Sequence, residues 1–324
     1  MTTLRIGRRR FLVGATLLAA SGLPRAAAYP TGTIRILYNF AAGGPGDAAL
    51  RYLADQLAPR LGQQVIVENR TGGSGSIGIL GAARSAPDGY TLLFTTLPGV
   101  IQLPYFADKT FDPVKSLQPL AWIGSSPLVI LAHPSVPAGD FPGFVEWAKA
   151  QPSSIQFAGA GPIIELAIAR LARETGLKLE FIPYRGSAPA VQAVVGGEVK
   201  FYFMPPSAMT TEFVKLGKLK VIGTTSAEPS PLVPGGQPIA KTVPGYVQAV
   251  DYCLWAPAGA PPEVLATLGP TLKEVLARPA TAEKLLSFGI EPRNGGPEDV
   301  TALTVRETEN IRRILATTPI KFGQ

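Results

Sequence analysis

The sequence predicts an α/β protein of two lobes. Its 324 residues exceed the roughly 100 to 200 usual for one domain. Short β-rich runs alternate with longer amphipathic runs, the pattern of layered α/β folds with a largely parallel sheet. One unit, strand then glycine turn then helix, recurs in two separated stretches of the chain.

In chain order, residues 34–38 are predicted as a first strand, 41–47 as a turn and 48–61 as a helix. Leu50, Leu53, Ala54, Leu57 and Leu61 recur there at helical spacing, so one face enters the core. A second strand at 65–68, a glycine turn at 71–75, a short helix at 77–84 and a third strand at 90–95 complete the first series. The second begins with a strand at 155–158, a turn at 159–161 and a helix at 162–175. Pro162 opens that helix, where a missing N–H costs nothing. A strand at 180–183, a turn at 185–187 and a helix at 188–195 follow, the last stopped by Gly196-Gly197. Strands at 199–204 and 219–224 end the series, 229–238 is a proline- and glycine-rich loop, and 262–276 and 299–317 are helical. Extended segments at 127–133 and 252–256 are the expected crossings between lobes. The first lobe is then discontinuous, 29–126 with 256–324, and the second covers 127–255.

Composition excludes much chemistry. With 46% hydrophobic and 16% charged residues, the chain is neither disordered nor a polyelectrolyte. One cysteine, Cys253, and one histidine, His133, leave no intramolecular disulfide, no Cys/His metal cluster and a single imidazole for any catalytic pairing. His133 is expected at the surface after a strand and Cys253 in buried packing. The net charge of +7 is concentrated at the amino terminus, where residues 1–28 hold five arginines and no acid. The remaining 25 basic and 23 acidic side chains nearly balance, so a nucleic-acid partner is not expected.

Those 28 residues read as a leader. Arg8-Arg9-Arg10-Phe11-Leu12 opens an apolar run that ends in Ala26-Ala27-Ala28, a charged region, a hydrophobic region and a small-residue cleavage site in turn. The paired arginines resemble a twin-arginine export signal. Export to a bacterial periplasm with cleavage near Ala28 is expected.

Four strand-to-helix turns carry Gly, Ser or Pro: 41–47, 71–76, 159–162 and 185–189. The first N–H groups of a helix lack internal partners and together carry about half a positive charge, so bare turns there accept anions. In open α/β sheets these turns sit at the carboxyl ends of strands, where ligand crevices form. Gly73-Ser74-Gly75-Ser76-Ile77-Gly78 matches the dinucleotide spacing G-x-G-x-x-G, but the next strand ends in Thr95-Thr96-Leu97 without the acid that a ribose requires. No Walker lysine follows any of these turns. The motif reads as a tight turn, and no cofactor or metal is expected. Asp47 is expected to cap the helix that follows its turn. Phe201, Phe203 and Met204 read as core, with Met204 ending its strand near the cleft.

The chain resembles the periplasmic receptors of the tripartite tricarboxylate transporter type, also called Bug receptors. The resemblance is carried by Phe40-Ala41-Ala42-Gly43-Gly44-Pro45-Gly46-Asp47, Val65-Ile66-Val67-Glu68-Asn69-Arg70, Gly72 to Gly78, Ala86-Pro87-Asp88-Gly89-Tyr90, Ile182-Pro183-Tyr184-Arg185-Gly186 and Leu254-Trp255-Ala256-Pro257. It implies a two-lobed, type II venus-flytrap binding protein with a hinge of crossing strands and no catalysis. It also implies that a ligand carboxylate is gripped at Phe40, Ala42, Gly43, Gly44, Asp47, Thr96, Gly159, Ala160 and Gly161. Ser74 and Met204 join these as candidate ligand-binding residues. Pro162-Ile163-Ile164 replaces the polar residues usual after Gly161, Lys200 and Met204 stand where many relatives carry polar or acidic residues, and Gln102 stands where asparagine is common. An acid at position 204 would pair with a ligand ammonium, so its absence favours a carboxylate with an apolar or aromatic body.

The function expected is capture of a small organic acid and its delivery to membrane subunits of a tripartite transporter, or its presentation to a sensor. A periplasmic hydrolase is the enzymatic alternative, and its triad lacks a well-placed histidine. A monomer is expected.

Overall fold

The structure is a computed structural model that describes residues 29–317. The expected leader, its cleavage site and the last seven residues lie outside the described residues.

The chain builds two sheets. The first series is β1 (Ile34–Tyr38), α1 (Pro45–Leu61), β2 (Val65–Asn69), α2 (Ser76–Ala83), β3 (Thr91–Thr96), α3 (Leu97–Phe106), α4 (Pro113–Ser116) and β4 (Leu117–Pro127). The second is β5 (Val129–Ala132), α5 (Phe141–Lys149), β6 (Ile155–Gly159), α6 (Pro162–Thr175), β7 (Leu179–Pro183), α7 (Ser187–Val195), β8 (Phe201–Met204), α8 (Ala208–Lys215) and β9 (Lys220–Thr224). The chain closes with β10 (Ala249–Pro257), α9 (Pro262–Leu276), α10 (Pro279–Ser287), β11 (Glu291–Gly295) and α11 (Pro297–Thr317).

The strand orders are β11-β4-β10-β3-β1-β2 and β7-β6-β8-β5-β9. Both sheets are mixed rather than largely parallel. β2-β1-β3 and β7-β6-β8 run parallel, while β10, β4 and β11 in one sheet and β5 and β9 in the other pair antiparallel. The parallel trios are the strand-turn-helix units legible in the sequence. Since the strands of each trio point one way, their carboxyl ends and following turns gather along one edge.

The first crossing falls at Leu128, between β4 and β5. The second lies upstream of its predicted place: residues 252–256 are the middle of β10, bonded to β3 and β4 inside the first sheet. The chain leaves β9 at Thr224 and re-enters the first sheet at Ala249. The two crossings are tied together. The Leu128 amide donates to Thr225 Oγ1 at 2.8 Å, the Thr225 amide donates to the Leu128 carbonyl at 2.9 Å, and the Gln248 amide donates to the Thr225 carbonyl at 3.0 Å.

A buried core fills the space between sheets and helices. Phe144, Phe157, Phe201 and Phe203 pack ring on ring beneath the second sheet. Cys253 is fully buried beside Trp255 and Leu93, and burial pushes its thiol well above the usual range, so it is packing and not a thiolate. The G-x-G-x-x-G stretch also has a packing explanation. A side chain at Gly78 would meet the Arg70 carbonyl at 2.6 Å and Asn39 Cβ at 2.9 Å, and one at Gly75 would meet Asn39 Nδ2 at 2.5 Å. These glycines let α2 lie against β1, where buried Asn39 accepts the Thr95 hydroxyl at 2.7 Å.

Candidate functional site

A cleft of about 650 Å³ runs between the two sheets, a size typical of small-molecule sites. All four glycine turns open onto it: 41–45 running into α1, residues 71, 72, 74 and 75 before α2, 160–161 before α6, and 185–189 running into α7.

On the first-sheet side Tyr38 ends β1, and Phe40 stands against it with ring centroids 5.5 Å apart. Gly44 is the N-cap of α1, in extended conformation as its place before a proline favours, and Pro45 occupies the first turn. The helix starts three residues earlier than the sequence reading placed it. Asp47 is therefore not the cap but lies inside the first turn, and its carboxylate reaches back to accept the Gly43 amide at 3.1 Å. It also accepts two bonds from Arg51, at 3.0 and 3.1 Å, and one from Asn69 at 2.9 Å. Burial pushes this carboxyl up, but the bonds from Arg51, Asn69 and Gly43 together outweigh it and hold the group below the usual carboxylate range.

Across the cleft, Gly161 caps α6 with φ of +80°, a backbone state that favours glycine, and Pro162 follows. Gly186 caps α7 at φ of +134°. Among the described residues, the amides of Gly44, Ala160, Gly161, Ser187 and Ala188 donate to no protein acceptor. Three helix N-termini thus present unfilled donors to one space.

Phe40, Ala42, Gly43, Gly44, Ser74, Thr96, Ala160, Gly161 and Met204 from the sequence reading line the cleft. Asp47 and Gly159 do not. Asp47 lies behind the turn, and Gly159 is the end of β6, where an added side chain would meet Ile164 Cγ2 at 2.5 Å. Gln102 and Lys200 also stand outside the lining. Thr96 is buried, with a hydroxyl that has no partner among the described residues.

The structure adds residues that sequence reasoning passed over. Tyr38 and Tyr252 form the back wall, both buried, with phenols pushed above their usual range chiefly by burial. Tyr38 donates to no acceptor among the described residues. Ile163, Ile164 and Val250 supply apolar surface, and Arg185 with its turn lines the second-sheet side. The signal for Arg185 was present, since its turn matched the other three.

Arg185 is the only Asp, Glu, Lys, Arg or His among the described lining residues. His133 bonds Ser135 at 2.8 Å and lies away from the cleft, so no imidazole serves Ser74 or Ser187 there as a general base. The described residues hold no cluster of metal-ligating side chains.

Residues 49–319 match the family model described as tripartite tricarboxylate transporter family receptor. The chain belongs to that family. A Pseudomonas sp. (strain P51) relative, the UPF0065 protein in the tcbD-tcbE intergenic region, is 31% identical over 96% of this chain and 94% of its own length. The solved structure of the periplasmic binding protein BugD is 28% identical, with a TM-score of 0.82 over 90% of this chain and 99% of that one. R. palustris Rpa4515, solved with adipate, is 25% identical with a TM-score of 0.82, covering 90% of this chain and 98% of its own. The receptor fold expected from the sequence is therefore present: two α/β lobes of periplasmic binding-protein type, joined by chain crossings at Leu128 and between Thr224 and Ala249. No helix among the described residues is long and apolar enough to cross a membrane.

Proposed function

We propose that this receptor captures a small organic carboxylate in the cleft between its sheets, through the backbone amides of the glycine turns, and does no chemistry on it. The observation that carries this reading is the convergence of unfilled amides from three helix N-termini on a cleft whose only formal charge among the described residues is positive. An anion entering there exchanges water for fixed donors, each such charge-assisted bond contributing about 1.5 to 3 kcal/mol.

The ligand's body is apolar. Ile163, Ile164, Met204, Val250 and Phe40 surround the space, and no acid among the described residues lines it to receive an ammonium group. Free amino acids are accordingly poor ligands. Adipate, named for the R. palustris relative, is an acid of the favoured kind, with a methylene chain between its charges.

The arginine-rich leader directs export to the periplasm with cleavage near Ala28, and the loaded monomer delivers its ligand to membrane subunits of a tripartite transporter. Presentation to a membrane sensor uses the same closed state.

The test is thermal stabilisation and calorimetry with a panel of aliphatic and aromatic carboxylates, amino acids and citrate. Stabilisation should grow with concentration as RT ln(1 + [L]/Kd), with every bound compound recovered unchanged. Tight binding confined to amino acids or citrate, or turnover of a bound compound, overturns the reading.

A further inference from the structure

Arg185 is exposed, and among the described residues it is the one arginine with neither an ion pair nor a hydrogen bond. Every other described arginine is engaged, including Arg51, Arg70 and Arg170 within or beside the same lobes. An uncommitted guanidinium at the rim of an otherwise uncharged cleft presents a planar fork of donors suited to a carboxylate.

Its position decides which part of a ligand it meets. Arg185 belongs to the turn before α7, on the second sheet, while Gly44 and the N-terminus of α1 face the cleft from the first sheet. Apolar Ile163, Ile164, Met204 and Val250 line the space with them. A molecule held by one acid at the glycine turns and running along this apolar surface has one place where a second negative charge is met by a full positive charge.

We propose that Arg185 is the selectivity residue of the cleft: it binds a second anionic group on the ligand, so that the receptor prefers an acid charged at both ends to the matching acid charged at one. This rests on the carboxylate reading above and goes further, since backbone amides alone do not distinguish one acid group from two. A ligand charged at both ends also ties the two lobes together, and so favours the closed form.

Calorimetry on the purified chain with linear monocarboxylates and dicarboxylates of four, six and eight carbons, for the wild type, Arg185→Gln and Arg185→Lys, tests this. The wild type should bind the best diacid roughly tenfold or more tighter than its monoacid, as expected for one charge-assisted fork. Arg185→Gln should bring that ratio close to one by weakening the diacid far more than the monoacid, and Arg185→Lys should keep part of the preference because it keeps the charge and loses the fork. Since Arg185 has no partner among the described residues, the melting temperature of each variant should match the wild type. A wild type with no diacid preference, or a preference that survives in Arg185→Gln, overturns the role of Arg185 while leaving carboxylate capture intact. Failure of every acid to bind the wild type overturns both.

Discussion

The carboxylate of Asp47 accepts the backbone amide of Gly43, four residues before it, at 3.1 Å. This bond removes Gly43 from the donors open to a ligand and fixes the turn that presents Gly44. The acid serves the site from behind, as a brace, and its negative charge is neutralised by Arg51 on the far side.

Asp47→Asn should therefore lower stability without emptying the cleft. It removes the charged acceptor of bonds from Arg51, Asn69 and Gly43, a loss of about 1.5 to 3 kcal/mol at pH 7. The carboxyl's folded pKa lies below its unfolded one, so its contribution is full above the unfolded value near pH 4 and is lost as pH falls through the folded value. Denaturant melts at pH 7 and pH 3 should show the gap between wild type and variant closing on acidification. An equal gap at both pH values contradicts this.

Gly44→Ala separates binding from folding. The backbone of Gly44 is extended and nothing lies within 4 Å of an added methyl, so the variant folds, losing about 1 kcal/mol or less at the N-cap. The methyl enters the cleft beside the donor amides. Carboxylate affinity should fall by roughly tenfold in calorimetry, the equivalent of about 1.4 kcal/mol. Unchanged affinity would place the ligand elsewhere.

Tyr38 lines the cleft, and its phenol has no hydrogen-bond partner among the described residues, so Tyr38→Phe leaves no buried group unsatisfied. Its stability should hold or rise slightly. Affinity for the bound acid should fall by roughly tenfold to a hundredfold if the phenol donates to it, the worth of one hydrogen bond to a charged group at about 1.5 to 3 kcal/mol. Titration of the two proteins with the same acid checks this, and an unchanged Kd removes Tyr38 from the binding site.

Asp251 on β10 makes stability pH-dependent in the opposite sense from Asp47. Burial, with a smaller push from Glu307, raises its pKa against the Ser125 hydrogen bond and the attraction of Arg293 and Arg306. The folded state then holds the proton more tightly than the unfolded one, so this group's effect on stability worsens as pH rises from about 4 through the raised folded value. Asp251→Asn mimics the protonated form. Its melting temperature should exceed the wild type's at pH 7.5 and approach it at pH 4, as read by calorimetric scans.

How much of this was legible follows physical lines. The parallel trios and their glycine turns were readable because β-branched runs, Gly-Pro openings and helical spacing are local signals. α3 was not, because Leu97-Pro98-Gly99 follows β3 without a break and Pro104 interrupts it. β10 was legible as an apolar strand but not as a member of the first sheet, since pairing partners 120 or more residues away leave no local mark. β11, with the sequence Glu-Pro-Arg-Asn-Gly, has no strand propensity and exists through its pairing with β4. At the cleft the turns were foreseen, but two features were not. An aspartate inside the first turn takes one of the donors, and an arginine on a turn looks like any solvated charge until its lack of a partner is seen.

The most direct test is a crystal structure of the receptor with its acid bound. Carboxylate oxygens should lie within about 3.2 Å of the Gly44 amide and of an amide at 160–161 or 187–188, directly or through one ordered water. A ligand seated away from these turns, or amides there filled by the protein's own side chains once the lobes close, would contradict capture by backbone donors.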